Sequence, residues 1–362
     1  MTRTAVPRPK AAPFGSANGA GKRRGRLPTM KDVARAAGVS VMTVSRAFKQ
    51  DAAVKPDTRD AIRATAEAMG YVFDSTASNF RSQKSDFIAV TIPSVNNANF
   101  ASTVGALSDK LKEFGLQVLL GYSNYDTGEE ERLVEQLLRR RPAAIVVTGG
   151  RHTERTRALL RKAAIPVIET WDLPERPIGH VVGFSNAATT GTMVDHLVSR
   201  GYRRIAFIGG DVDGDTRGAD RRRGFIAAMT RHGLDATRLV GAGQPPISMR
   251  EGADAMGRLL ETAPDTQAVI CVSDLSAFGA LSECARRGVA VPRQIAIAGF
   301  GAYEIAAVCE PPITTIDPHP AEIGRRTGEL IGELLRGEGK RRRKGGVTIA
   351  IEPTLSVGRS TG

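Results

Sequence analysis

Cysteine is scarce in this chain, and long apolar runs are missing. The 362 residues include three cysteines, Cys271, Cys284 and Cys309, whose spacing matches neither a metal-ligand motif nor an even-numbered disulfide framework. We therefore expect reduced thiols, as in a cytoplasmic protein. No run of 18 apolar residues occurs, and the basic N-terminal segment lacks the apolar stretch of a secretory signal. These absences predict a cytoplasmic protein with no membrane partner.

Acidic residues are the minority among the charged residues. The chain has 51 Lys and Arg against 38 Asp and Glu, a net charge of +13. A positive excess favours a polyanionic partner, because each Lys or Arg placed on a phosphate releases a counterion. Part of this excess lies in residues 1–28, which contain no acids and are rich in Pro, Gly and Ala. We predict a disordered basic arm there, which either attracts DNA non-specifically or has no specific role.

The motifs of common catalytic classes are also missing. We find no phosphate-cradling Walker loop, no zinc-binding spacing and no Gly-x-Ser-x-Gly elbow. Residues 211–215 alternate aspartate as a calcium loop does, but the central glycine and the closing glutamate are absent, so a turn fits better. We therefore predict no metal and no cofactor, and we do not expect an enzyme such as a sugar kinase.

Two structural patterns divide the rest of the chain. Residues 30–70 have helical spacing interrupted by short breaks, with Gly38 suited to a left-handed turn and Ser40 suited to capping the following helix. We predict three short helices, which cover Lys31–Ala37, Val41 to about Lys49, and a segment that starts at Pro56.

From residue 87 onward, β-rich runs alternate with amphipathic helical segments such as Glu129–Arg140 and Thr189–Arg200. This alternation predicts parallel sheets with helices on both faces. The runs are too many for one small sheet, so two Rossmann-like lobes fit better. The predicted strands are Phe87–Pro93, Gln117–Gly121, Ala143–Thr148, Pro166–Thr170, Arg204–Gly209, Ala268–Val272 and Ile295–Gly299.

The sharpest motif runs from Asp32 to Arg46 and reads Asp-Val-Ala-Arg-Ala-Ala-Gly-Val-Ser-Val-Met-Thr-Val-Ser-Arg. It predicts a helix, a tight glycine turn and a second helix whose N-terminus offers small polar groups and backbone N–H groups to a phosphate. The motif resembles the helix-turn-helix of the lactose-repressor (LacI/GalR) family, and every fixed position of that family's pattern is present. Residues 54–59 and 69–71 are similar to the family as well.

The resemblance implies which headpiece residues contact DNA. Val41, Met42 and Arg46 match positions that read bases in the major groove, and Ser40, Thr43, Ser45, Thr58 and Tyr71 match positions that contact phosphates. Val41 and Met42 have no hydrogen-bonding side chain, so they would read apolar features such as a thymine methyl group. Arg46 would then carry most of the polar readout. Lys55 replaces a small polar residue and can reach a phosphate.

Residues 74–86 resemble the family's hinge helix and linker, and that helix folds in the minor groove and wedges a leucine between base pairs. Ala77 matches the usual alanine, whereas Phe73 replaces a common proline and Phe80 stands at the wedge position. Because apolar wedges of several kinds unstack a base step, we expect Phe80 to act as the wedge.

The chain from Phe87 onward resembles the family's effector domain, which is similar to periplasmic sugar-binding proteins. In such two-lobed folds the ligand binds beyond the carboxyl ends of the strands. Asparagine side chains there can bond hydroxyl groups and aromatic rings can stack on a sugar, although ordinary loop chemistry and core packing are the alternatives. The predicted effector-binding residues are Asn97, Phe100, Tyr125, Trp171, Arg217, Arg221, Ser273 and Asp274.

Two arginines indicate the charge of the effector. Arg221 aligns with the arginine by which the family grips its effector, and Arg217 lies one turn earlier on the same predicted helix. A guanidinium suits a carboxylate. Ser273 replaces the family's asparagine, and Gly301 removes a carboxylate usually offered to sugar hydroxyls, so an anionic ligand fits better than a neutral sugar. Three segments, 167–186, 216–225 and 271–283, resemble the gluconate-utilisation repressor branch.

The sequence thus predicts an α/β protein, in which a small all-α helix-turn-helix headpiece precedes a two-lobed, periplasmic-binding-protein-like sensor. The predicted boundaries are a basic arm at 1–28, the headpiece at 29–73, the hinge and linker at 74–86, and the sensor and dimerisation domain at 87–362. We expect a homodimer, or a tetramer, that binds palindromic double-stranded operator DNA and represses sugar-acid catabolism genes under control of a sugar or sugar acid. The alternative, a soluble sugar-binding protein without a regulatory role, leaves the headpiece unexplained.

Overall fold

The computed structural model describes residues 27–48, 53–73, 85–210, 216–337 and 346–362. It divides the chain into two compact units, Met1–Gln83 and Lys84–Gly362. The predicted basic arm up to residue 26 and the hinge residues 74–84, including Ala77 and Phe80, lie outside the described residues, as do residues 211–215.

Three helices form the described part of the first unit: α1 at Met30–Ala36, α2 at Val41–Phe48 and α3 at Pro56–Ala68. They confirm the three predicted helices. Gly38 has a φ of +64° in the turn between α1 and α2, and Ser40 Oγ accepts a hydrogen bond of 3.1 Å from the backbone N–H of Thr43. The left-handed turn and the cap set the angle at which α2 leaves α1. A small core holds the three helices together and consists of Val33, Ala34, Val44, Ala47, Val54, Ile62 and Ala66.

The second unit alternates strands and helices along the chain. Its strands are β1 Phe87–Ile92, β2 Gln117–Tyr122, β3 Ile145–Thr148, β4 Val167–Thr170, β5 His180–Gly183, β6 Ile205–Gly209, β7 Leu239–Gly241, β8 Ala268–Cys271, β9 Ala296–Ala298, β10 Thr315–Asp317, β11 Thr348–Ala350 and β12 Thr354–Ser356. Its helices are α4 Ala98–Lys112, α5 Thr127–Arg139, α6 Glu154–Lys162, α7 Asn186–Ser199, α8 Thr216–Arg231, α9 Met249–Thr262, α10 Asp274–Arg286, α11 Glu304–Val308 and α12 Pro320–Arg336.

Two parallel sheets form the two lobes of this unit. The first has six strands in the order β11-β5-β4-β3-β1-β2, and the second has four in the order β7-β6-β8-β9. Both sheets are parallel throughout, while β10 and β12 form a separate antiparallel pair. All seven predicted strands are present. The other five strands, β5, β7, β10, β11 and β12, are not among those seven. Each has only three or four residues, whereas predicted strands of that length, such as β9, lie within longer apolar runs.

Close backbone approach between helices depends on glycine at two contacts. A Cβ atom on Gly224 of α8 would lie 2.1 Å from the carbonyl oxygen of Ala187, and one on Gly324 of α12 would lie 2.2 Å from that of Thr103. Neither gap admits a side chain, so glycine at these sites lets α8 pack on α7 and α12 pack on α4. Helix α12 thereby joins the first lobe although it follows the second lobe in the chain.

No helix in the described ranges is long and apolar enough to cross a membrane.

A buried charged cluster holds the loop that follows β3. The side chain of His152 is fully buried. Its Nδ1 lies 2.7 Å from Glu130 Oε2, and its Nε2 lies 3.1 Å from the carbonyl oxygen of Gly149 and 3.7 Å from Glu169 Oε1. Burial lowers the pKa of His152, but hydrogen bonds and charges from Glu130 and Glu169 outweigh it and raise that pKa to about 9. The imidazolium therefore fixes the loop at neutral pH.

This cluster makes the stability of the second unit depend on pH. Because the pKa of His152 in the folded state exceeds its ordinary value of 6.5, its stabilisation is complete below about pH 6.5 and is lost as the pH rises through about 9. We expect urea unfolding to show a loss on the order of 3 kcal/mol across that window. The loss should be much smaller in His152→Gln and unchanged in His232→Gln, whose side chain is partly exposed. Equal losses in the wild type and His152→Gln would contradict this account.

Candidate functional site

The residues predicted to read bases lie on the outer face of α2. Val41 and Met42 are 40% and 53% exposed, whereas Val44 and Ala47 of the same helix are fully buried. Arg46 is exposed as well. Two exposed apolar side chains beside an arginine are unusual for a solvent-facing helix and suit a groove that offers both methyl groups and hydrogen-bonding edges.

Of the residues predicted to contact phosphates, Ser40 and Thr43 lie at the start of α2, Ser45 lies within α2, Lys55 and Thr58 lie at the start of α3, and Tyr71 follows the end of α3. Ser40 and Lys55 are exposed, and Thr43, Ser45, Thr58 and Tyr71 are half-buried. Ser40 caps α2, so its hydroxyl group lies beside the backbone N–H groups at that helix N-terminus. Lys55 directly precedes α3, and because its ammonium group has only donors it cannot cap that helix but can bind an anion.

A cavity of about 200 Å³ lies between the two lobes of the sensor. Its walls come from segments that follow β1, β2, β4, β7, β8 and β9, together with the first turns of α8. This is the edge where the carboxyl ends of parallel strands meet. Seven of the eight predicted effector residues line it: Asn97, Phe100, Tyr125, Trp171, Arg217, Arg221 and Ser273.

Arg221 is held in a fixed orientation at the cavity wall. Its Nε donates to Asn186 Oδ1 at 3.0 Å and its Nη1 donates to the carbonyl oxygen of Val272 at 2.7 Å. Its guanidinium carbon lies 3.5 Å from the centroid of the Phe300 ring. Asn186 in turn donates to the carbonyl oxygen of Trp171 at 3.0 Å. The planar group is therefore positioned by two hydrogen bonds and a cation–π contact before any ligand arrives.

Arg217 is the second guanidinium in the cavity and is only 8% exposed. Its guanidinium carbon lies 5.5 Å from the Phe100 ring centroid and 5.8 Å from that of Tyr125. Burial raises the pKa of the nearby Asp172, the charge of Asp220 adds to this, and Arg217 opposes it. Arg217 thus places a positive charge among aromatic rings, where little water screens its attraction for an anion. The neighbouring Asp172 carboxyl group ionises less readily, because its pKa is raised.

The aromatic rings predicted to stack on a sugar are packed against each other instead. Trp171 is 3% exposed and meets Phe100 edge-on, with centroids 5.1 Å apart and planes at 75°, and it meets Phe184 edge-on at 5.9 Å. The Phe300 ring is covered by Arg221. These contacts are those of core packing, the alternative left open by the sequence, and a role of Phe100 and Trp171 in effector binding stays a prediction. They contribute apolar surface to the cavity wall.

Asp274 is the one predicted effector residue that does not line the cavity. It begins α10, is fully buried, and accepts hydrogen bonds from Thr315 Oγ1 at 2.6 Å and from the backbone N–H of Tyr303 at 2.8 Å. Burial raises the pKa of Asp274 to about 6, although Thr315 and the backbone donors oppose this. The carboxyl group thus holds the loop after β9, which supplies Phe300 and Tyr303 to the cavity.

Sequence reasoning missed several lining residues. Phe300 and Tyr303 follow β9. Ligands in such folds bind beyond strand ends, and this rule predicts both residues when it is applied to β9. Pro245 and Ser248 follow β7, a strand of three residues that the sequence did not reveal. Asn99 of α4 donates to the carbonyl oxygen of Gly301 at 3.0 Å and so joins the cavity wall of the first lobe to the segment after β9.

Asn186 links Arg221 to the backbone beside Trp171, so its removal should weaken the fold. We expect Asn186→Ala to lower the free energy of unfolding by about 2 kcal/mol, because two buried polar groups lose their partner. Urea denaturation measures the change. Thr192→Ala on the exposed face of the same helix is the control and should change stability by less than about 0.5 kcal/mol. An Asn186→Ala protein as stable as this control would refute the assigned role.

The comparisons with known proteins agree on one family. Residues 29–74 match the family model described as bacterial regulatory proteins, lacI family, and residues 194–361 match the periplasmic binding protein-like domain. The HTH-type transcriptional regulator GntR of Pseudomonas aeruginosa is 34% identical over 311 residues, which cover 86% of this chain and 90% of that protein.

Two solved structures of LacI family regulators from Silicibacter pomeroyi are also similar. One is 43% identical with a TM-score of 0.72 and covers 76% of this chain and 98% of that chain. The other is 30% identical with a TM-score of 0.85 and covers 92% and 99%. The predicted family, fold class and regulatory function are confirmed. This chain belongs to the lacI family of bacterial regulatory proteins.

Proposed function

We propose that this regulator represses genes of sugar-acid catabolism and that an open-chain sugar acid in the interlobe cavity controls its DNA binding. The observation that carries the proposal is a pair of guanidinium groups in one small cavity, that of the buried Arg217 and that of the half-buried Arg221. A carboxylate placed between them would form charge-assisted hydrogen bonds away from screening water.

The packing of three aromatic rings in the cavity wall supports an open-chain ligand over a sugar ring. Pyranose recognition commonly uses an exposed aromatic face, and the rings of Phe100 and Trp171 are buried edge-on against each other while Arg221 covers Phe300. Ser94, Asn96 and Ser273 add short polar side chains to the wall, which suit a row of hydroxyl groups. A six-carbon aldonate such as gluconate has both features, a carboxylate and an extended polyol.

For DNA we propose the contacts that the family resemblance implies. Exposure of Val41, Met42 and Arg46 on α2 supports their role as base readers. The residues proposed to contact phosphates are Ser40, Thr43, Ser45, Lys55, Thr58 and Tyr71, and those proposed for the minor groove are Ala77 and Phe80. A DNA partner also places the protein's action in the cytoplasm.

We further propose a homodimer on a palindromic operator, with one headpiece on each half-site. Strand β2 lies at the edge of the six-stranded sheet and exposes Leu120 and Tyr122 on one face. An edge strand with apolar side chains on its surface is suited to packing against another subunit. Light scattering at micromolar concentration should give twice the chain mass, and a monomer would contradict the proposal.

Selection from random DNA duplexes tests the regulatory function. The full-length protein should enrich a palindromic site that it binds, by fluorescence anisotropy, at least about 1,000-fold more tightly than unrelated DNA. A sugar-binding protein without a regulatory role would enrich nothing. The selected duplex then serves as the operator for the other DNA measurements.

Arg46 should carry most of the polar readout of that duplex. We expect Arg46→Ala to weaken operator binding by a factor of about 5 to 150 and to relax the preference at one base pair of each half-site. Arg63→Ala, an exposed arginine of α3 outside the proposed contacts, is the control. A uniform loss across all base pairs would assign Arg46 to the phosphates instead.

Arg217 should decide the charge of the ligand. By calorimetric titration, gluconate should bind the wild type, whereas glucose and the uncharged polyol sorbitol should bind far more weakly. We expect Arg217→Met to lower gluconate affinity at least about 30-fold, because it removes a buried partner of the carboxylate. Arg231→Met, at the exposed end of the same helix, should bind gluconate normally. Sorbitol binding as tight as gluconate binding would overturn the sugar-acid assignment.

A further inference from the structure

Two phenylalanine rings stack inside the headpiece. The rings of Phe48 and Phe73 have centroids 4.9 Å apart and planes inclined by only 12°, and the ring of Tyr71 meets Phe48 edge-on at 6.0 Å. Phe48 is the last residue of α2, and Phe73 follows α3 by five residues. The stack therefore ties the end of the helix that carries Arg46 to the point where the chain leaves the headpiece.

The backbone after α3 brings the ring of Phe73 to this place. Gly70, with a φ of +64°, turns the chain back, and the backbone N–H of Tyr71 donates to the carbonyl oxygen of Ala66 at 2.8 Å. Val72 is 85% exposed, while its neighbours Tyr71 and Phe73 are half-buried. This alternation is that of an extended segment with one face on the headpiece. Both inward side chains of the segment contact Phe48.

We propose that Phe73 is a positioning residue for operator binding, which fixes through Phe48 the direction in which the chain leaves the headpiece relative to α2. A phenylalanine does not constrain its own φ, in contrast to a proline, so an ordered exit at this residue needs an outside contact. The stack supplies that contact. Phe48 lies two residues after Arg46 on α2. The stack therefore fixes the direction in which the chain leaves the headpiece relative to the helix that carries Arg46.

A fixed exit matters because a palindromic site presents its half-sites at one spacing and orientation. When the Phe48–Phe73 stack fixes the chain direction after the headpiece, the two headpieces of the proposed dimer are already oriented for that spacing. Binding then costs little further conformational freedom. When that direction is free, each headpiece still reads its half-site, but the pair tolerates altered spacings and binds the correct one less tightly.

Anisotropy titrations on the full-length protein test this positioning role. The DNA probes are the duplex selected by the wild type, the same duplex with one base pair inserted at its centre, and an unrelated duplex. We expect Phe73→Ala to bind the selected duplex about tenfold more weakly, to discriminate less between the two spacings, and to bind unrelated DNA normally. Phe73→Leu keeps an apolar side chain without the ring stack and should shift in the same direction. Val72→Ala, its exposed neighbour, should match the wild type.

Phe48→Ala and the double variant complete the test. If Phe73 acts through Phe48, the double variant binds the selected duplex no more weakly than the weaker single variant. Three results would overturn the proposal. In the first, Phe73→Ala and Phe73→Leu bind the selected duplex as tightly as Val72→Ala does. In the second, the affinity losses of Phe48→Ala and Phe73→Ala add in the double variant, and in the third, Phe73→Ala loses equal affinity for selected and unrelated DNA and melts at a lower temperature. The last result would give Phe73 a merely structural role.

Discussion

The sensor site depends on the contacts that fix the guanidinium group of Arg221. This group joins the first turns of α8 to the carbonyl oxygen after β8, to Asn186 at the start of α7 and to the ring of Phe300 after β9. These segments come from distant parts of the chain and meet only because both sheets are parallel and end at the same cleft. A charge held in this way costs nothing to orient when a ligand binds, which is the general advantage of preorganised recognition.

The two units solve different recognition problems. The headpiece exposes two apolar side chains and an arginine on one short helix, and its small core and glycine turn hold that helix rigid. The sensor instead places the buried Arg217 and the half-buried Arg221 in its interlobe cavity, which suits the proposed anionic ligand. The proposed coupling between the units requires that the ligand favour one arrangement of the lobes and that this arrangement change DNA binding. A coupling of about 1–3 kcal/mol already changes DNA affinity roughly 5- to 150-fold.

Much of this architecture was predictable from local rules. Gly38 and Ser40 mark the turn and the cap of α2 because few other residues adopt a left-handed conformation or accept from a helix N-terminus. The long strands stand out by their apolar runs, and residues after them line the cavity, as topology requires. The orientation of Trp171 was not predictable, because ring packing depends on Phe100 and Phe184 from other strands and helices. Asp274 likewise has the residue type of a ligand contact, but its partners Thr315 and Tyr303 are set by tertiary packing alone.

The most direct test of the account is the operator affinity of the full-length protein with and without saturating gluconate, measured by fluorescence anisotropy at one salt concentration. The account predicts that gluconate changes this affinity at least about fivefold, whereas sorbitol leaves it unchanged. Operator affinity that no sugar acid alters would contradict the proposed link between the cavity arginines and DNA binding, although the protein would remain a DNA-binding regulator.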